Sequence, residues 1–338
     1  MEPAPQPSPP APTFGDAIGA FGAWLKRQPL AAFLLLGVFG TLVYFFFCYR
    51  VFTNGSLSTA RWAMDAWNPE NNQEHSFLIL PISIFLVWYH RGKIAVASKR
   101  PSLYGLLFVV LGVAIFVIAV RTLQPRAAIV AVPILIFGSA WFLWGREVAR
   151  VFAFPCAFML FMVPVGGFVQ GTVSLQLLVS SVVNWMSGLI GVKIEASGTT
   201  IRSMDGSFNF EIAEGCSGIR SLMAMTTLTA LYAHFTQRVL WKKLTLFGSS
   251  ILFAVIGNIG RIFTVILVAK FYDPEFASGL YHDYSGFVFF PIAVVAMVGF
   301  GNLLTADWRS LYRRYYLSED QTIQKAEADR GGKISYDY

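Results

Sequence analysis

Charged residues are scarce in this sequence. Asp, Glu, Lys and Arg make up 13% of its 338 residues, while hydrophobic residues make up 55% and the mean hydropathy is +0.57. The surface of a water-soluble domain needs more charge than this, so the composition excludes an ordinary soluble globular protein. It predicts a polytopic membrane protein that is embedded in the lipid bilayer.

Cysteine is also scarce, with three residues in the chain, Cys48, Cys156 and Cys216. Three cysteines cannot build the disulfide framework of a small secreted fold. Cys48 and Cys156 lie within apolar runs, which favours small buried hydrophobic side chains for both. Cys216 differs from them because it follows a polar segment.

The net charge of +7 does not indicate nucleic-acid binding. Lys and Arg cluster in short loops between apolar runs, as expected for a membrane protein whose basic loops stay in the cytoplasm. The apolar runs predict an all-α protein of about eight transmembrane helices with both termini in the cytoplasm. The predicted spans are residues 30–49, 75–89, 103–120, 127–144, 151–168, 217–235, 244–271 and 286–304.

Two predicted elements lie outside these spans. Residues 174–192 predict an amphipathic helix on the membrane surface. Its expected apolar stripe is Leu175, Leu178, Val179, Val182, Met186 and Leu189, and polar residues such as Gln176, Ser180, Asn184 and Ser187 lie elsewhere. Residues 199–204 and 208–212 alternate in polarity around Asp205-Gly206, which predicts a small extracytoplasmic β-hairpin.

Cys216 is the candidate nucleophile. It lies in EGCSGIRSL (214–222), where the strand-like run ends and a long apolar helix pattern begins. Unpaired N–H groups and the positive end of the dipole at a helix start lower the pKa of a thiol toward the reactive thiolate. Arg220, one turn further on, adds a fixed positive charge.

Arg261 is a second candidate, because a charged residue within a span is costly and usually faces a protein interior or an aqueous cavity. Asn258 lies one turn earlier on the same helical face. Snorkelling to the interface or pairing with Glu214 would also explain Arg261. Its place in the span predicts that it reaches the side of the membrane where Cys216 lies.

His282 stands at the mouth of the last span, where its imidazole could exchange a proton near neutral pH. Capping of the last helix together with Asp283 is the plainer explanation of this residue on its own. However, Cys216, Arg261 and His282 come from three successive spans and reach the same side. This grouping favours a nucleophile, an oxyanion stabiliser and a proton carrier.

His75, with Glu74, begins the second span on that same side and is a supporting candidate. A metal site made of His75, His282 and a carboxylate lacks any characteristic ligand spacing. We therefore expect neither a metal nor another cofactor. His90 and His234 lie at the cytoplasmic ends of spans and are interpreted as interfacial.

Four segments together resemble the signature regions of a known family. They are EHSFLILPISIFLVWYHR (74–91), FNFEIAEGCSGIRSL (208–222), NIGRIFTVILVA (258–269) and YHDYSGFVFF (281–290). In order and spacing they resemble the exosortases, polytopic membrane cysteine transpeptidases related to the archaeosortases. The resemblance implies that Cys216, Arg261 and His282 are the catalytic residues. Glycine follows Glu214 where the family often has alanine, which would only ease the turn.

The resemblance also implies a thiol protease or transpeptidase of PEP-CTERM-type protein sorting in the bacterial inner membrane, with its active site outside. Its substrates would be membrane-embedded proteins with a C-terminal signal made of a short motif, a transmembrane helix and a basic cluster. The resemblance leaves open whether the cleaved protein is released by hydrolysis or transferred to a surface polysaccharide or lipid. We expect a Pro-rich tail and lead-in at 1–29, an exosortase-like catalytic domain at 30–305 with an outer insert at 170–215, and a cytoplasmic tail at 306–338.

The residues alone leave two other functions open. A transporter or a lipid-linked glycan-handling protein would bind an anionic group with Arg220 and Arg261, and it would tolerate Cys216→Ser. A structural partner in an exopolysaccharide assembly would tolerate changes at all three candidate catalytic residues.

Overall fold

A computed structural model describes residues 29–68, 71, 73–164, 169–197, 200–211 and 218–306, with isolated positions between 15 and 27. The main helices are α1 (Pro29–Val43), α2 (Thr59–Ala66), α3 (Ser76–Tyr89), α4 (Arg91–Val96), α5 (Tyr104–Arg121), α6 (Pro125–Trp144), α7 (Arg146–Phe158), α8 (Val169–Leu189), α9 (Ile219–Thr236), α10 (Leu240–Phe271) and α11 (His282–Thr305). Short helical turns cover Tyr44–Cys48, Phe52–Gly55, Met159–Met162, Pro274–Phe276 and Ala277–Tyr281. The strands are β1 (Arg50–Val51), β2 (Leu57–Ser58), β3 (Ile194–Ser197), β4 (Thr200–Ser203) and β5 (Asn209–Glu211).

The predicted all-α membrane class is confirmed. In the described part of the chain, four helical runs are long and apolar enough to cross a membrane: α5, α6, α10 and the run Pro274–Thr305 that ends in α11. Phe39–Cys48 and α3 are shorter apolar helices. Helices also occupy the other predicted spans, but α7 has only 13 residues and α9 contains Arg220 and several threonines. The total of eight spans therefore stays a prediction.

Seven helices, α3, α5, α6, α7, α9, α10 and α11, run alternately between two ends of the bundle. The upper end is defined by contacts between Glu74 and Arg220, Trp67 and Met162, and Arg126 and Pro164. The lower end is defined by contacts between His90 and His234, and between Lys242 and Leu304. His90 and His234 thus share the end opposite to Glu74 and Arg220, as predicted.

The helix α8 confirms a helix near 174–192, but it is described from Val169 and ends at Leu189. Within the predicted apolar stripe Val179 is buried, Leu175, Val182 and Met186 are half-buried, and Leu178 and Leu189 are exposed. The buried side chains are Gln176, Val179, Ser180, Val183 and Ser187, whereas Leu177, Leu178, Trp185 and Leu189 are exposed. Small side chains let α8 approach α10 closely, and lipid accommodates the large apolar ones. The location of α8 at the membrane surface stays a prediction.

The predicted hairpin is confirmed and belongs to a larger sheet. Strands β4 and β5 pair antiparallel with Ile201 opposite Phe210, and Gly206 in the turn has φ +74°. The sequence prediction missed β3, which pairs with β4 on its other side. Ile201 and the nearby Phe208 are buried in one cluster with α8 and α10, so the sheet is fixed to the upper part of the bundle.

Three further predictions need correction. Cys48 is exposed, because the turn Tyr44–Cys48 buries none of its residues, whereas Cys156 is buried as expected. The last helix begins at His282, four residues before the predicted start. The expected loop before it contains the turns Pro274–Phe276 and Ala277–Tyr281, so His282 lies on a folded element.

Candidate active site

Arg261 of α10 is held against the first turn of α11. Its Nε donates to Ser285 Oγ at 3.0 Å, and its Nη2 donates to the backbone carbonyl of His282 at 3.0 Å. Ser285 is buried, and its hydroxyl donates to the same carbonyl at 2.9 Å. A guanidinium at membrane depth needs such partners, because an uncompensated charge there is costly. Arg261 is thereby positioned beside the turn that carries His282.

His282 is the first residue of α11, and its side chain is 24% exposed. Its Nδ1 lies 3.2 Å from Asp283 Oδ1. A carboxylate in that place favours the tautomer with the proton on Nδ1, which makes Nε2 the basic nitrogen of the neutral ring. The arrangement suits exchange of a proton through Nε2.

Asn258 joins α10 to the start of α9. Gly218, the residue before α9, has φ +75°, a conformation that glycine adopts without a steric penalty. A Cβ at Gly218 would come within 3.0 Å of Asn258 Nδ2 and 3.1 Å of its Cγ. Asn258 is buried and lies one turn before Arg261. The start of α9 therefore packs on the face of α10 that carries Arg261.

Cys216 and Glu214 lie outside the described residues. The described chain ends at Glu211 in β5 and resumes at Gly218, two residues after Cys216. The end of the sheet and the start of α9 thus flank the segment that contains the predicted nucleophile.

A cavity of about 40 Å³ lies where α9, α10 and α11 meet. Ser221, Asn258, Arg261 and Gly286 contribute to its wall. A cavity of this size has room for a small chemical group but not for a peptide segment. A substrate would therefore lie outside it, with at most one small group entering.

Arg220 and Glu74 bring the start of α3 to the start of α9. Arg220 Nε lies 3.9 Å from Glu74 Oε2, and both side chains are about half exposed. Such an exposed ion pair contributes roughly 0–1 kcal/mol to the stability of the fold. Its main effect is to orient the two helix starts relative to each other. It places His75, the next residue after Glu74, at the upper end with the other candidates.

His75 is partly buried at the point where α3 begins. Its Nε2 is buried and has no hydrogen-bond partner among the described residues.

Two residues of this region escaped the sequence analysis. Ser285 binds Arg261 directly, and its position three residues after His282 was a readable sign that it shares the same helical face. Gly218 adopts its left-handed conformation just before a helix, a place where glycine after a polar segment could have been singled out. Within the described ranges, no group of three or more His, Cys, Asp or Glu side chains is arranged to hold a metal.

Fold and site together define a polytopic all-α membrane protein with a polar cluster where three helices meet at the upper end. The chain belongs to the transmembrane exosortase family: the family model described as Transmembrane exosortase (Exosortase_EpsH) matches residues 67–299. It is thus an integral membrane enzyme related to protein sorting, and the family implies membrane-embedded protein substrates. Comparisons with curated proteins and with solved structures found no significant match.

Proposed function

We propose that this exosortase is a cysteine transpeptidase that cleaves the C-terminal sorting signal of exported proteins. One observation carries the proposal: Arg261 binds the carbonyl of His282, while Asn258, one turn away, contacts Gly218 beside the segment that contains Cys216. These contacts support the proposal that a cationic donor, an imidazole and the nucleophile act together at this end of the three helices. The proposal places this upper end on the outer side of the bacterial inner membrane.

In the proposed reaction the Cys216 thiolate attacks the scissile carbonyl, and the tetrahedral oxyanion forms beside Arg261. A fixed positive donor in a poorly hydrated site stabilises this charge more strongly than water does. His282 Nε2, which has taken the thiol proton of Cys216, donates it to the leaving amine as the C–N bond breaks, and a thioester remains on Cys216. His282 then takes a proton from water or from an acceptor nucleophile, which attacks the thioester and regenerates the thiolate.

The supporting residues take positioning roles in this proposal. Arg220 and Glu74 hold the start of α9 near α3, and Asn258 packs against the turn that follows Cys216. His75 and Glu214 complete the surroundings of the site. The catalytic domain extends over residues 30–305 and includes the outer insert 170–215, with 1–29 and 306–338 as the segments that flank it.

The test follows C-terminal cleavage of a tagged membrane protein with a PEP-CTERM-type signal, co-expressed with the enzyme. Cys216→Ala should abolish cleavage while the protein stays in the membrane, and His282→Ala should strongly reduce it. Cys48→Ser is the matched control, because this thiol is exposed and distant in sequence. A substrate adduct trapped on Cys216 would establish the nucleophile directly.

Other outcomes identify the rival functions. Normal cleavage by Cys216→Ala would refute the proposal. Tolerance of Cys216→Ser, combined with a requirement for Arg220 and Arg261, would indicate a transporter or a glycan-handling protein. Mild effects at all three candidate catalytic residues would indicate a structural partner in an exopolysaccharide assembly.

A further inference from the structure

An apolar cavity of about 520 Å³ lies in the upper half of the bundle, apart from the cluster around Arg261. It is open on one side, where lining residues such as Val117 and Leu80 are exposed, and it is lined by the end of α1, the turn after it, α3, α5, α6 and the turn Met159–Met162. Its wall includes Phe45, Leu80, Val117, Leu135, Ile136 and Met159. The volume falls within the range of about 300–1,000 Å³ that is usual for small-molecule sites.

A positive charge stands at the upper end of this cavity. Arg121, the last residue of α5, is exposed and belongs to the lining. Arg50 is also exposed and directly follows Tyr49, another lining residue. If the upper end faces outward, Arg121 departs from the usual cytoplasmic preference of basic residues, and the described residues give it no hydrogen bond or ion pair. A local anionic ligand would account for it.

We propose that this cavity holds an acyl chain of a phospholipid, whose phosphate binds the guanidinium of Arg121. The lining gives a polar metabolite almost no hydrogen-bond partners, so such a ligand would lose its hydration without compensation. A transmembrane helix is about 10–12 Å across, so the cavity would hold little more than roughly one of its turns. An acyl chain is narrow enough to enter, and its phosphate would lie at the depth where α5 ends.

The phosphate contact should decide whether a lipid is retained. An acyl chain gains little by moving from surrounding lipid into an apolar cavity, because both environments are equally apolar. Guanidinium and phosphate form a charge-assisted, bidentate pair, which bulk lipid does not offer. The cavity then fixes the chain of the lipid that Arg121 selects.

The experiment counts phospholipids retained by the full-length protein. The protein is taken from vesicles of phosphatidylcholine and phosphatidylglycerol into detergent and examined by native mass spectrometry. Val117→Trp fills the cavity, and Ile118→Trp is its matched control, because Ile118 is the next residue of α5, is exposed and does not line the cavity. Leu80→Trp fills the cavity from the opposite wall, in case Val117→Trp impairs folding.

We expect the wild type and Ile118→Trp to retain one phospholipid and both filling variants to lose it. Arg121→Gln should weaken retention about tenfold, as expected for a lost charge-assisted hydrogen bond, while Arg121→Lys should restore part of it. Equal retention in the filling variants and Ile118→Trp would overturn the proposal, because the lipid would then be ordinary surrounding lipid. Retention of detergent or of a hydrophobic peptide in place of phospholipid would also overturn it. This experiment measures lipid retention and not cleavage, so its outcome is independent of the proposed reaction.

Discussion

The pair α5 and α6 is held together differently from the trio α9, α10 and α11. In the pair, glycines bring the two backbones together: a Cβ at Gly138 would lie 2.7 Å from the backbone nitrogen of Val109. In the trio, polar side chains cross between helices, as Arg261 does to Ser285 and His282. Close contact of small residues is an inexpensive way to join helices in lipid, whereas buried polar groups are costly. The buried polar contacts of the trio support the proposal that the reaction takes place there.

Loss of the Arg261 guanidinium should have the largest effect on the trio. Arg261→Gln should lower the rate of substrate cleavage by about 10²–10³-fold, the usual result of removing one oxyanion donor. Arg261→Lys keeps the charge but cannot bind Ser285 and His282 with two nitrogens. Its cleavage rate should therefore lie between those of the wild type and Arg261→Gln. Both rates are measured per folded molecule in membranes. An Arg261→Gln enzyme with full activity would leave this residue a structural role only.

Overpacking of the pair should lower stability and spare the chemistry. Gly138→Leu should destabilise the protein by about 1–3 kcal/mol, because its side chain would overlap the backbone of α5. The matched control is Gly248→Leu on α10, where a Cβ meets nothing within 4 Å. Thermal unfolding in detergent gives the stability, and cleavage per folded molecule should match the wild type. Equal melting temperatures for the two variants would contradict the close approach of α5 and α6.

A methyl group at Gly218 should disturb the trio more mildly. Gly218→Ala should lower the free energy of unfolding by about 1–2 kcal/mol, because alanine is disfavoured in a left-handed backbone conformation. Its Cβ would also lie in close contact with Asn258. Gly206→Ala carries the same backbone strain at φ +74°, but its Cβ meets nothing within 4 Å. We expect similar losses of stability and a lower cleavage rate for Gly218→Ala alone. Equal rates would show that contact with Asn258 does not position the segment of Cys216.

The smallest effect concerns the sheet beside the trio. The exposed Asp205 carboxylate accepts hydrogen bonds from Lys270, Ser203 and Ser207. These bonds, that of Lys270 above all, hold its pKa below its usual range. Because the pKa is lower in the folded state, this stabilisation is present above about pH 4 and is lost as the pH falls further. Thermal unfolding of the wild type should therefore weaken in acid slightly more than that of Asp205→Asn. Parallel pH profiles of the two proteins would contradict this role of Asp205.

The hairpin and the face of α8 show how far sequence patterns reach. The alternation around Phe208 could be read because one face of the sheet packs on protein and the other does not. Lys193 and Glu195 alternate with the buried Val192 and Ile194 in the same way, so β3 was readable but overlooked. The face of α8 was not readable, because apolar side chains can face lipid as well as protein. Hydrophobicity alone therefore does not identify the buried side of a membrane helix.

The sequence by itself determined the membrane class, the family and the identity of the three candidate catalytic residues, because composition and short motifs are local properties. It also indicated that Arg261 and His282 reach the same side. Only the tertiary structure decided that Arg261 donates hydrogen bonds to the Ser285 hydroxyl and to the backbone carbonyl of His282. It also decided that Glu74 lies beside Arg220. Those contacts join residues that are 21 or more positions apart, and they depend on how the helices pack. The same packing created the apolar cavity below Arg121, which no segment of the sequence encodes on its own.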